Sequence, residues 1–179
     1  MTEPLAQIKF GTDGWRAIIA RDFTFANVER VAQAYADYLS QSSRVTPFVV
    51  VGFDRRFLSE NFAQRAAEVM TGNGFRIALF TEAQPTPLIS WAVKDLHATG
   101  GIMITASHNP ANFNGFKIKA PWGGSASPET TSVVEQLVDQ TPPKRQVFTE
   151  QAAELLELVR LAGLGDKRPH ELSGGMRQR

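Results

Sequence analysis

The sequence predicts a layered α/β domain followed by a short helical tail, on three observations. Short, continuous apolar runs at 48–53, 75–80 and 101–105 have the length of buried strands. Segments with helical apolar spacing separate these runs, so strands and helices alternate along the chain. The composition, 42% hydrophobic and 21% charged over 179 residues, is that of an ordinary folded chain. A chain of this length can bury roughly 70% of its unfolded surface.

The elements follow in order. Val28, Val31, Ala32, Tyr35 and Leu39 recur at helical spacing and predict a helix over 24–41, with Thr24 as N-cap. Phe48-Val-Val-Val-Gly-Phe53 predicts a strand covered on both faces. Ser59 is placed to cap a helix running to Met70, ended by Gly72 and Gly74. Phe75–Phe80 is a second strand. Pro87 suits the first turn of a third helix, whose apolar residues are Ile89, Ala92, Val93 and Leu96. Gly101–Thr105 is a third strand. Asn114–Lys119 is a fourth, antiparallel to a neighbour, because Asn-Gly is a hairpin turn signal. Pro128 opens a helix to about Gln140.

The character then changes. Thr141-Pro-Pro-Lys-Arg-Gln146 is a linker by composition, which divides the chain into 1–145 and 146–179. A leucine-rich helix is expected over 150–161, with Leu155, Leu158 and Val159 on one face.

Charge and cysteine content narrow the function classes. Nineteen basic residues against eighteen acidic ones leave a net charge of +1, which gives no case for a nucleic-acid or anionic-membrane partner. Without cysteine there is neither a disulfide nor a thiolate metal site. Met-Thr-Glu-Pro is not a signal-peptide start, and no run of about 18 apolar residues is present. The expected location is the cytoplasm.

The residues with most chemical content lie at 101–119. An apolar run ends in the turn Thr105-Ala-Ser-His-Asn-Pro110, which presents Ser107 beside His108. Asn114-Gly-Phe-Lys-Ile-Lys119 follows closely. A hydroxyl on a tight loop with two lysines nearby fits phosphate handling; the alternative is a turn held only by side-chain-to-backbone hydrogen bonds. Alternation puts Lys117 and Lys119 on one strand face, with Phe116 and Ile118 toward the core. Lys119 reads as a solvated lysine on a half-exposed strand. Arg16 follows the turn Asp13-Gly14, and its guanidinium suits either a bidentate phosphate contact or a surface salt bridge. Thr12 and Asp13 shape that loop. His108 is placed to polarise a phosphate or carry a proton, although sequence neighbours on an extended segment point apart. Arg55 and Arg56 follow a buried strand and read as structural or supporting residues. His97 reads as a surface residue, and Trp15, Trp91 and Trp122 as packing residues.

Several of these motifs occur together and in order: Phe10-Gly-Thr-Asp-Gly-Trp-Arg16, Val51-Gly-Phe-Asp-Arg-Arg56, Pro85-Thr-Pro87, Thr105–Pro110 and Asn114-Gly-Phe-Lys117. With them the chain resembles the α-D-phosphohexomutases, the phosphoglucomutase and phosphomannomutase superfamily, over residues 5–145, which correspond to that family's first domain. The resemblance implies a three-layer α/β/α domain with a mixed, mostly parallel sheet. It implies that Ser107 carries a phosphoryl group to and from hexose phosphates. Lys117 matches the family's lysine, with proton transfer or charge stabilisation as its role; Arg16 and His108 complete the implied catalytic set. Mg2+ is implied for the complete enzyme, held here only through the phosphate on Ser107, with a hexose 1,6-bisphosphate as activator. The family's Asp-rich metal loop and distal-phosphate segment belong to other domains and are missing from this chain, and the residues that choose the hexose lie largely in those domains.

The end of the chain resembles a different family. Leu172-Ser-Gly-Gly-Met-Arg-Gln-Arg179, with Pro169-His170 before it, is similar to the signature motif of ABC-transporter ATPases, with Ser173, Gly174 and Gly175 at its phosphate-contacting positions. No Gly-x-x-x-x-Gly-Lys-Ser/Thr loop accompanies it. The expectation is a chimera, natural or an open-reading-frame artefact. Two alternatives stay open beside the mutase reading: an ABC-type ATPase fragment, and a folded fragment without activity. The mutase resemblance spans about 140 residues and the ABC resemblance about 30, and the longer one decides the preferred reading.

Overall fold

The computed structural model describes residues 6–42 and 47–147. The expected leucine-rich helix and the ABC-like motif lie outside the described residues. Among those described, five strands form one sheet in the order β1-β5-β4-β2-β3. In chain order the elements are β1 (Trp15–Ile18), α1 (Phe25–Ser42), β2 (Phe48–Phe53), α2 (Ser59–Gly72), β3 (Arg76–Leu79), α3 (Thr86–Asp95), β4 (Gly100–Ile104), β5 (Phe113–Lys119) and α4 (Pro128–Leu137).

β2 pairs in parallel with β3 and β4, while β5 runs antiparallel to both β4 and β1. Four strands therefore share one direction and β5 is reversed. Residues of one parity along the strands, including Val49, Val51, Ile102, Ile104, Phe116 and Ile118, face a core shared with Val28, Val31, Tyr35, Phe62, Val69 and Val134 from α1, α2 and α4. Val50, Ala78 and Met103 face the other way and pack with Ile89, Ala92 and Val93 of α3. Helices thus cover both faces, and the three-layer expectation holds.

α3 packs on β2 and β4. The same face of β5 and β1 carries Arg16, Lys117 and Lys119, on the opposite side from Trp15, Phe116 and Ile118.

Local signals explain the helix ends. The Thr24 hydroxyl accepts from the Asn27 amide at 3.3 Å, as an N-cap should. Pro87 sits in the first turn of α3, and Ser127 caps α4 by accepting from Thr130 at 3.3 Å. α4 stops at Leu137, earlier than expected.

Several expectations change. β1 has no counterpart among the expected strands, because four residues of mixed polarity show no clear alternation. Ser59 is not the cap of α2: Leu58 holds that position at φ 58°, and the Ser59 hydroxyl turns away to Asp54. Asn114-Gly115 is not a turn but lies inside β5. Gly115 is required there because a Cβ would meet the carbonyl oxygens of Thr105 and Trp15 at 2.6 and 2.9 Å. Lys119 is buried rather than solvated, at 5% exposure. The turn after β5 brings Gly123 against Ser90 of α3, where a Cβ would lie 2.2 Å from a backbone oxygen. Trp122, at the tip of that turn, is 66% exposed and does not pack. Trp15 does, stacking on Phe23 at 4.8 Å between ring centroids.

The segment after α4 returns across α1 and α2. Arg145 pairs with the buried Glu68 at 2.7 Å, and the Lys144 amide donates to Gln33.

Candidate active site

Ser107 follows β4, where the strand leaves the sheet at its carboxyl end. Its backbone is left-handed, at φ 56°, a conformation that costs a non-glycine residue of order 1 kcal/mol or more. The side chain is exposed. Two sets of contacts hold the loop in this shape.

The first set comes from Asp54, at the end of β2. Its carboxylate accepts from the Thr105 hydroxyl at 2.5 Å, from the Ser59 hydroxyl at 3.0 Å and from the Arg56 amide at 3.0 Å. Thr105 Oγ1 in turn accepts from the Ser107 amide at 2.9 Å. The buried Asn114 donates to Ser59 Oγ at 2.9 Å and accepts from the Gly115 amide. A chain of hydrogen bonds therefore runs from the middle of the sheet to the backbone of Ser107.

The second set is the guanidinium of Arg56. It donates to the carbonyl oxygens of Ser107 and Asn109 at 2.7 Å each, of Pro110 at 2.8 Å and of Phe113 at 3.0 Å. A planar fork with five N–H donors suits such a task, and Lys could not replace it. Arg56 is thus the clamp of the loop. The supporting role read for it has a definite content that the sequence did not disclose, because its acceptors are backbone atoms 51 to 57 positions away.

Arg16, on β1, reaches the same loop and donates to Asn109 Oδ1 at 2.9 Å. His108 is exposed, and among the described residues no hydrogen bond joins its ring to Ser107. Lys117 is buried at 4% exposure and pairs with Asp13, with 2.5 Å between Nζ and Oδ2. The other carboxylate oxygen of Asp13 accepts from Ser125 at 2.8 Å. Burial by itself raises the pKa of Asp13, but hydrogen bonds from Lys117 and Ser125 and the charges of Lys117 and Lys119 outweigh it and hold the carboxyl below its ordinary value. Burial lowers the pKa of Lys119, Asp13 opposes that shift and Lys117 adds to it.

The fold therefore brings Arg16 to the Ser107 loop through Asn109 and places Lys117 on the same sheet face as Arg16, paired with Asp13; Asp54, Thr105 and Asn109 join Arg56 as supports of the loop that sequence reasoning did not rank. A cleft of about 520 Å³ adjoins the loop at the ends of β2 and β3, lined by Arg55, Asn61, Thr81 and Glu82 among others. Ser107 does not line it, and its mixed charge argues for no single ligand.

Among the described residues, no group of three or more His, Asp or Glu gathers as a cation site. The carboxylate that adjoins the loop, Asp54, already uses its oxygens on Thr105, Ser59 and Arg56. A Mg2+ ion wants several oxygen ligands, so these residues do not fit one by themselves.

A family model described as "Phosphoglucomutase/phosphomannomutase, alpha/beta/alpha domain I" matches residues 7–145. A "Probable phosphoribomutase" of Schizosaccharomyces pombe is 41% identical over 126 residues, 68% of this chain and 21% of the relative. A "Phosphoglucomutase" of Staphylococcus saprophyticus is 39% identical over 141 residues, 75% of this chain and 25% of the relative. Among solved structures, that of a putative phosphomannomutase from Thermus thermophilus superposes with a TM-score of 0.73 at 43% identity, covering 79% of this chain and 32% of that one. The chain spans about a quarter or less of these curated relatives' length.

Proposed function

We propose, on the premise that this chain belongs to the phosphoglucomutase/phosphomannomutase family through its α/β/α domain I, that it is the phosphoserine-bearing part of an intramolecular phosphotransferase acting on hexose phosphates. The observation that carries the reading is the exposed, left-handed Ser107 on a loop clamped by Arg56 and reached by Arg16.

In this reading the phosphoryl group on Ser107 Oγ passes to a hydroxyl of a hexose phosphate. The Oγ–P bond breaks, a P–O bond to the sugar forms, and the proton leaving the sugar hydroxyl ends on Ser107 Oγ. After the bisphosphate reorients, the serine recovers a phosphoryl group from the other position, so the enzyme is regenerated. Phosphoryl transfer of this kind depends mainly on positioning and on positive charge around the moving group. Arg16 supplies a planar cation beside the loop, and Lys117 an ammonium for proton transfer or charge stabilisation at the sugar hydroxyl. His108 is free to contact the phosphate. In a complete enzyme the phosphate on Ser107 would be this chain's contribution to the ligands of a Mg2+ ion, which would supply charge neutralisation. A hexose 1,6-bisphosphate is the activator that loads the serine.

The remaining domains of a full-length mutase are the partners this reading requires. Without them the substrate's distal phosphate is unheld and the cleft stays open to water. Loss of positioning alone removes about 7 kcal/mol of assistance, so the chain by itself is a poor mutase. Residues 1–145 form this domain, and 146–179 a linker with an ABC-like fragment that lacks a P-loop and has no ATPase activity of its own. The cytoplasmic location stays part of the proposal; among the described residues no helix is long and apolar enough to cross a membrane.

The test is intact-mass measurement after incubation with glucose 1,6-bisphosphate. One added phosphate is expected on the wild-type chain and none on Ser107→Ala. Equal labelling of both removes Ser107 from the role.

A further inference from the structure

Asp13 has no task in the reaction described above, yet the fold builds a dedicated setting for it. Gly14 has φ 100°, and a Cβ there would lie 2.7 Å from the Phe116 carbonyl oxygen and 2.8 Å from Lys117 Cγ. The tight turn, closed by a bond from the Gly11 amide to the Gly14 carbonyl at 3.0 Å, lays Asp13 directly on β5. One carboxylate oxygen receives Lys117, and the other receives Ser125 from the turn after β5. Elements more than a hundred positions apart thus meet on one carboxylate.

We propose that Asp13 is a positioning residue for Lys117: it fixes the lysine's ammonium at one point on the sheet face that carries Arg16, with Ser125 fixing the carboxylate in turn. The functional half of this proposal rests on the phosphoserine reading of Ser107.

Three considerations support it. The Lys117 side chain is 5% exposed, so its ammonium needs a counter-charge, and Asp13 supplies one. Lysine is a point charge on a flexible stem, and defining its location requires an acceptor that is itself held. An ammonium has three donors; Asp13 engages one of them and leaves others for an incoming anion. The other cations on this face are Lys119, which interacts electrostatically with Asp13, and Arg16, which is turned toward Asn109. Asp13 therefore couples most directly to the lysine proposed to act at the sugar hydroxyl.

The experiment uses the full 179-residue chain, nitrogen-15 labelled, with NMR of lysine ammonium groups and phosphate uptake at Ser107 from glucose 1,6-bisphosphate followed in parallel. Lys117→Met identifies the Lys117 signal by its loss. The wild-type chain is expected to give a sharp, slowly exchanging Lys117 signal, which disappears in Asp13→Asn and returns in Asp13→Glu. Phosphate uptake should slow by about tenfold or more in Asp13→Asn and recover substantially in Asp13→Glu, as misplacement of a reacting group predicts. An unchanged signal in Asp13→Asn, or equal uptake rates, overturns the proposal. If Asp13→Asn does not fold, Ser125→Ala keeps the charge pair and removes the second anchor; it should broaden the signal and slow uptake severalfold, and wild-type behaviour there overturns the proposal too. If the wild-type chain takes up no phosphate, the phosphoserine reading is what fails, and the ammonium signal alone then supports or overturns the hold of Asp13 on Lys117.

Discussion

Arg56 Nη2 lies 2.7 Å from the carbonyl oxygen of Ser107, so the arginine holds the candidate nucleophile by its backbone and leaves the hydroxyl free. The same guanidinium takes the carbonyls of Asn109, Pro110 and Phe113. Its Nε also lies 3.4 Å from Asp54, which tethers the loop's amide side through Thr105. Loop shape is therefore set by one ion pair with hydrogen-bonding reach on both sides.

Arg56→Lys is expected to loosen the loop although charge is kept. An ammonium cannot reach four divergent carbonyls, and hydrogen bonds to charged groups contribute about 1.5–3 kcal/mol each. A net loss of about 2 kcal/mol in unfolding free energy and a marked drop in phosphate uptake at Ser107 are predicted. Denaturant titration and intact-mass kinetics check the two effects; a variant with wild-type uptake shows that the clamp is dispensable.

Ser107→Gly and Ser107→Ala should separate strain from chemistry. Both remove the hydroxyl and abolish labelling. Only glycine adopts the observed φ of 56° without steric cost. After allowing for glycine's greater freedom in the unfolded chain, Ser107→Gly should be about 0.5–1 kcal/mol more stable than Ser107→Ala. Equal melting temperatures contradict this account of the loop.

Acid should act partly through Asp13. Its pKa is held below the ordinary value of 3.8 in the folded protein, so the native state binds fewer protons there than the unfolded chain. The resulting stability is fully present above pH 3.8 and is lost as pH falls through the folded value. Asp13→Asn should flatten the pH dependence of the melting temperature in that acidic window. A wild-type slope in the variant argues that other carboxylates account for it.

Lys119 predicts the alkaline counterpart. Burial lowers its pKa from 10.5, so in that window the unfolded chain binds more protons than the native one and stability rises with pH. Lys119→Met removes this rise and, by replacing a desolvated cation with an apolar side chain, should stabilise the fold by about 1 kcal/mol near neutral pH. Thermal melts between pH 7 and about 10 distinguish this from a lysine that is merely well solvated.

Phe62→Ala tests the core under α1 and α2. Phe62 meets Phe23 edge-on at 4.8 Å and Phe25 at 4.6 Å between centroids, and is 1% exposed. Truncation should cost about 3–5 kcal/mol, read by urea unfolding. A loss under about 1 kcal/mol means the neighbouring rings have collapsed into the space.

The sequence by itself determined the layers of this protein. The apolar runs of β2 and β4, the spacing of Val28, Val31 and Tyr35, the cap Thr24 and the opening Pro128 are local signals, set by side-chain periodicity and by backbone groups within a turn. Motif order also singled out Ser107, Lys117 and Arg16 as candidates. The tertiary structure decided what holds them. Arg56 finds carbonyls about fifty positions away, and Asp13 finds Lys117 at a separation of 104. Lys119 is buried although it lies at the end of β5, and Asn114-Gly115 becomes strand because it pairs with Ala17 and Arg16 of β1. Each of these depends on which strands become neighbours, and strand order arises from packing the whole sheet between its helices, not from any local run of residues.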